Sequence, residues 1–146
     1  MKAERATIED LQRIIASLPE FWGDRDTAAL HQALFVHELG DTSLVIRDAD
    51  GTVLAYLLGF VSLASVGYIH VVAVRRSHRG RGLARSLYES FETIARQRGA
   101  VELKAITSPG NRGSHAFHDA LGFSTSEVGG YSASGEARSV FRLALR

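Results

Sequence analysis

The run Val71-Val72-Ala73-Val74-Arg75-Arg76-Ser77-His78-Arg79-Gly80-Arg81-Gly82-Leu83-Ala84 constrains this chain more than any other segment. Its apolar, β-branched opening reads as the end of a buried strand. Leu83, Leu87, Phe91 and Ile94 then recur at helical spacing, and Gly99 closes the helix, predicted over 82–98. A strand that passes into a helix through arginines and glycines makes a place for an anion. The glycines remove side chains where a ligand meets the backbone, and the new helix turns its free N–H groups and positive dipole end toward it. Residues 75–85 hold five arginines (Arg75, Arg76, Arg79, Arg81 and Arg85) and no acid, whereas the whole chain carries a formal charge of +1. The positive charge is local.

The anion is a phosphate of a particular kind. A Walker loop needs a lysine after its glycines, and none follows here. The dinucleotide fingerprint needs a third glycine for close helix–strand packing, and Arg85 stands in its place. The stretch Arg79-Gly80-Arg81-Gly82-Leu83-Ala84 instead follows Arg/Gln-x-x-Gly-x-Gly/Ala. About thirty residues on, Asn111-Arg112-Gly113-Ser114-His115-Ala116-Phe117-His118-Asp119-Ala120-Leu121-Gly122-Phe123 follows Asn-x-x-Ser/Ala-x-x-Phe/Leu-Tyr-x-x-x-Gly-Phe, with His118 where the pattern has tyrosine. The interval has room for one helix and one strand. On these two linked motifs the chain resembles the GNAT superfamily of acyl-CoA-dependent N-acyltransferases, firmly over residues 66 to 123. It has some likeness to the phosphinothricin-acetyltransferase-like branch, where histidine can occupy the tyrosine position.

The resemblance implies an α/β (α+β) fold: a central mixed, mostly antiparallel sheet flanked by helices and splayed between its fourth and fifth strands, as one domain over 1–146. It implies acetyl-CoA as cosubstrate and no metal. The backbone from Gly80 through Arg81, Gly82, Leu83 and Ala84, with Arg79 beside it, is expected to take the pyrophosphate; Arg75 and Arg76 are further phosphate candidates. The pantetheine arm is expected to add to the sheet along the backbone of Val72 and Val74. Asn111 reads as the N-cap of a helix over 112–121 and, by resemblance, as a pantetheine contact, with Ser114 more weakly beside it. In the family the tyrosine at the position of His118 protonates the departing thiolate. An imidazolium of pKa ~6.5 can do the same for a thiol of pKa ~8.5. The alternative is that His118 sits by the sulfur without donating.

For a base, the first candidate is His70, a polar residue in an apolar strand over 68–74. Strict alternation puts Tyr68, His70, Val72 and Val74 on one face of that strand and Ile69, Val71 and Ala73 on the other. A satisfied core histidine is the alternative; Glu38, His31, His37, Glu102 or a water chain are reserves. Phe21, Trp22, His31, Phe35 and Tyr131 are candidates for an aromatic acceptor pocket, or simply core.

Elsewhere the pattern predicts a short strand at 3–6 and a helix from Thr7 to a stop at Pro19. A loop at 21–23, a second helix near 26–38, and strands at 44–47 and 53–58 joined through Asp48–Gly51 follow. A strand at 101–106 and two strands around 129–135 complete the pattern. The absence of cysteine excludes disulfides, thiolate zinc sites and a cysteinyl acyl-enzyme. With no apolar run of membrane length and no signal-like start, the expected compartment is the cytoplasm, with no membrane partner. The expected function is transfer of acetyl from acetyl-CoA to a primary amine of a small molecule, by direct attack in a ternary complex. The alternative is a catalytically weak CoA-binding sensor module. Near-zero net charge argues against nucleic acid as partner, and a homodimer is the family-level expectation.

Overall fold

The computed structural model describes residues 2–146. Its seven strands form one sheet in the order β1-β2-β3-β4-β5-β7-β6. They are β1 (Ala3–Arg5), β2 (Leu44–Arg47), β3 (Val53–Val61), β4 (Val66–Val74), β5 (Glu102–Thr107), β6 (Ser124–Val128) and β7 (Arg138–Ala144). Every neighbouring pair is antiparallel except β4 and β5, which run parallel. This is the mixed, mostly antiparallel sheet expected from the motifs. Helices cover both faces: α1 (Ile8–Ala16), α2 (Leu18–Trp22) and α3 (Leu34–His37) on one, α4 (Leu83–Gln97) and α5 (Arg112–Ala120) on the other.

The chain enters α1 through a capping box: the Thr7 hydroxyl accepts from the Asp10 N–H, and the Asp10 carboxylate accepts from the Thr7 N–H at 2.8 Å. Pro19 ends α1 as predicted, but it also lies in the first turn of α2, where a proline costs no hydrogen bond. Residues 21–23, expected as a loop, thus belong partly to a helix. The helix expected near 26–38 is broken into a 3₁₀ turn at Ala28–Leu30 and the single turn α3. The cause is His31, which is buried and bonds inward. Its Nδ1 donates to the Thr27 carbonyl at 2.8 Å and its Nε2 accepts from the Tyr56 hydroxyl at 2.7 Å, while that same oxygen accepts from Trp22 Nε1 at 2.8 Å. These bonds hold the segment off the helical path and fasten α2 to β3.

Two irregularities in β4 shape the site. Leu58 pairs with Val71 and Gly59 with Ile69, so His70 is the extra residue of a β-bulge. The bulge shifts the alternation expected for this strand. Ile69 packs in the α4 core and Val72 and Val74 pack against it, whereas Val71 and Ala73 lie in the core under α1 and α2. His70, stacked on Phe35 at 4.8 Å, shares that second face with Val71. Four residues therefore do not divide as strict alternation predicts, because one added residue transposes everything after it. The second irregularity is the splay. Pairing of β4 with β5 covers Val66–Ile69 against Glu102–Ala105 and then stops, although β4 continues to Val74 and β5 to Thr107. From His70 onward, one backbone edge of β4 lies open inside the sheet.

Candidate active site

The open edge of β4 forms a wall of a cavity of about 850 Å³. Its floor runs from Tyr68 through Val74; α4 contributes Ala84 and Tyr88; α5 and the turn before it contribute Asn111, Ser114 and His118; and α2 with its following loop contributes Phe21, Trp22 and Arg25.

At one end lies the glycine loop. Gly80 and Gly82 have φ of 78° and 77°, the left-handed region that favours glycine, and a Cβ built on either meets nothing within 4 Å. Packing therefore does not demand glycine here; backbone conformation and open space above the loop do. Gly82 is the N-cap of α4 and supplies no side-chain cap, so the first N–H groups of this fifteen-residue helix point into that space. The residues fit a pyrophosphate.

The arginines divide by role. Arg75 donates from Nε to the Val53 carbonyl at 3.0 Å and lies 4.8 Å over the Phe21 ring, lining a separate hollow with Arg13 and Asp50. It is committed to β3, away from the glycine loop. Arg79 lines the cavity while its Nη2 donates to the Phe21 carbonyl at 2.7 Å. Arg76 lines it too, with its guanidinium against Gly23. Arg81 is exposed beside the glycines.

Val72 and Val74 sit on the open edge, each half-buried. Asn111 caps α5, accepting from the Ser114 N–H at 3.1 Å and donating from Nδ2 to Thr107 Oγ1 at 3.1 Å. Both ends of its amide are occupied within the chain, although it also lines the cavity.

His118 is buried, and both ring nitrogens are engaged. Nδ1 lies 2.8 Å from the Ser114 carbonyl, which can only accept, so Nδ1 carries the proton. Nε2 lies 2.8 Å from the Tyr88 hydroxyl, which in the neutral ring donates to it. Stacking on Phe141 at 4.0 Å, together with Phe117 and Phe123 edge-on, surrounds the imidazole with apolar rings. Burial pushes its pKa below the ordinary histidine value, against the opposing pull of the Ser114 carbonyl. Burial also raises the pKa of Tyr88.

Tyr88 is the residue that sequence reasoning missed. It stands one helical turn after Ala84 of the glycine motif, and this i, i+4 relation to a cofactor-loop residue was the available signal. Among Leu87 and Phe91 it reads as core.

His70 also lines the cavity, opposite the open edge of β5. Burial lowers its pKa, the Leu30 carbonyl opposes this and neighbouring His31 reinforces it, so the ring is neutral near pH 7. Of the reserve bases, Glu102 pairs with Arg142 at 2.5 Å, and Glu38, His37 and His31 lie outside the cavity wall. Of the expected aromatic pocket, Phe21 and Trp22 face the cavity; His31 and Phe35 are buried behind it, and Tyr131 lies outside its lining, with Lys104 Nζ 5.2 Å from its ring centre.

The fold is shared with known proteins. The sequence model of the Acetyltransferase (GNAT) family matches residues 8–123, and the chain belongs to that family. It is 36% identical over 84 residues to L-2,4-diaminobutyric acid acetyltransferase of Streptomyces coelicolor, covering 56% of this chain and 49% of that protein. It is 27% identical over 115 residues to aminoglycoside N(6')-acetyltransferase type 1 of Acinetobacter genomosp. 13, covering 73% of this chain and 79% of that one. The chain thus spans about half the length of the first of these relatives. Among solved structures, the NatC complex bound to Gag peptide and CoA contains a chain that superposes with a TM-score of 0.80 at 16% identity, with full coverage of both chains, which speaks for the fold alone. No helix among the described residues is long and apolar enough to cross a membrane.

Proposed function

We propose that this protein transfers an acetyl group from acetyl-CoA to a primary amine of a small molecule, by direct attack in a ternary complex. One observation carries the reading: an uncapped glycine-loop helix start opens onto the same cavity as the unpaired edge of β4 and the neutral His70. The first suits a pyrophosphate, the second a pantetheine arm that adds as a strand, and the third an amine that must lose a proton. In this reading Gly80–Ala84 receive the pyrophosphate with Arg79 and Arg81 beside it, Val72 and Val74 hold the pantetheine amides, and Asn111 and Ser114 close over the arm. His70 takes the amine proton. The amine nitrogen forms the C–N bond as the C–S bond breaks, and the thiolate leaves.

The proton for that thiolate has a constrained route. Both nitrogens of His118 are engaged, so a proton from His118 reaches the sulfur through the Tyr88 hydroxyl. Only a ring that has first taken up a proton relays one: its Nε2–H donates to the Tyr88 oxygen as the Tyr88 proton passes to the sulfur, whereas the neutral ring that burial favours keeps the Tyr88 proton in its own hydrogen bond. His118 is then a positioning residue and Tyr88 the group at the cofactor. Its relatives support an amine acceptor: diaminobutyrate and aminoglycoside enzymes are named for amine substrates.

A second reading is favoured by the same histidine. A buried imidazole held neutral is a poor acid, and a CoA-binding module without turnover needs none. Release of free CoA thiol from acetyl-CoA across an amine panel tests both. Turnover with at least one amine is expected; tight CoA binding with none turned over would refute transfer in favour of the binding module.

A further inference from the structure

Beyond the glycine loop and the open part of β4, the cavity is lined by Trp22, Leu30, Tyr68 and His70 and by two further guanidiniums, Arg25 and Arg138. Among the described residues lining the cavity there is no aspartate or glutamate. An acceptor with several ammonium groups would meet positive charge and find no carboxylate.

Neither arginine is committed to a closely held carboxylate, unlike several others in the fold. Arg47, Arg96 and Arg142 each hold a carboxylate at 2.5 to 3.1 Å, and Arg98 binds Asp41. Arg25 makes no ion pair among the described residues and rests 5.3 Å from the centre of the Trp22 ring. Arg138, the first residue of β7, has a side chain only 25% exposed and donates from Nη1 to the Ala137 carbonyl at 2.9 Å. The carboxylate near it, Glu136, lies 3.5 Å from Nη2 on a side chain 63% exposed, and is held more closely by the Ser134 hydroxyl at 2.7 Å. A largely covered guanidinium with so loose a partner keeps donor capacity for a second anion.

Resting on the acetyltransferase reading above, we infer that the amine acceptor also carries a carboxylate, which Arg138 receives while the amine faces His70. The acceptor class is a small amino acid rather than a polyamine or an aminosugar. Arg138 begins β7 and Arg25 lies in the segment after α2, and both line the cavity. A planar carboxylate matches the arginine fork, and the largely covered Arg138 side chain strengthens the pairing.

A matched pair of acceptors tests this: 2,4-diaminobutyrate and its decarboxylated counterpart 1,3-diaminopropane, with kanamycin as the polycation, each followed by CoA thiol release. The amino acid is expected to exceed both others at least tenfold in kcat/KM. Arg138→Gln is expected to collapse the preference for the acid, chiefly through its KM. Arg142→Gln, which breaks the exposed pair with Glu102 outside the cavity, is expected to keep that preference. Equal or better use of diaminopropane or kanamycin would overturn the carboxylate while leaving acetyl transfer intact. An acid preference that survives Arg138→Gln would overturn the residue assignment. Turnover of no amine at all, with acetyl-CoA bound, would overturn the inference and the transferase reading together.

Discussion

Changing Tyr88 to phenylalanine removes one oxygen from a buried pair and leaves the rings around it in place. His118 Nε2 then has a lone pair and no donor, enclosed by Phe117, Phe123 and Phe141. A buried acceptor stranded in this way costs about 1–3 kcal/mol. For a chain of 146 residues, each kcal/mol moves the melting temperature by roughly 2–4 °C, so Tyr88→Phe is expected to melt roughly 2–12 °C lower. His118→Phe strands the Tyr88 hydroxyl instead and costs a similar amount. The double variant strands neither, since two apolar rings then face each other. Its cost is expected to fall short of the sum of the single costs by about 1–2 kcal/mol. Thermal or urea unfolding at pH 7.5, where the imidazole is neutral, measures all four proteins. Strictly additive costs, or a Tyr88→Phe protein as stable as the parent, would refute the claim that this hydroxyl serves His118.

In the catalytic reading, His118→Phe is expected to lower kcat about 10²-fold with little change in acetyl-CoA KM, and His118→Tyr to restore much of the activity and extend it to higher pH; a fully active His118→Phe enzyme would leave the thiolate departing unaided. Gly82→Asp places a β-carbon and a negative charge in the open space above the loop, so calorimetry should find CoA affinity at least tenfold weaker with circular dichroism unchanged; undiminished binding would remove the loop from the site. CoA affinity should also weaken as ionic strength rises, because exposed arginine–phosphate attraction is screened, and a flat salt response would count against Arg79 and Arg81. His31, His70 and His118 all have pKa values lowered by burial, so the unfolded chain binds protons more readily than the folded one. Their contribution to stability is complete above about pH 6.5 and is lost as pH falls below it toward the folded-state values, so the melting temperature should drop on acidification through that window; no change between pH 7 and 5.5 would contradict it.

Local chemistry determined much of this protein before any long-range contact formed. A phosphate-binding helix start is built from consecutive residues: Gly80 and Gly82 set the backbone, Leu83 starts the apolar stripe, and the arginines set the field. All of it is therefore legible in the run from Val71 to Ala84. The Asn111 cap, the strand–turn–strand around Asp48–Gly51 and the alternation of elements are local in the same sense. The tertiary structure decided what depends on residues far apart in the chain. His70 is a bulge residue because β3 pairs one residue short against β4, a register that β4 alone does not encode. The stretch 26–38 fails to be one helix because His31, like Trp22, reaches the Tyr56 hydroxyl on β3. The partner of His118 is thirty residues away on another helix, and that contact turns a residue exposed to any proton-transfer role by its motif into one buried with both nitrogens occupied. Arg138 gains meaning only when β7 and the loop after α2 are folded around one cavity. Backbone conformation and charge density are carried by neighbours in sequence, whereas protonation state, burial and the shape of a pocket are set by groups that folding alone brings together.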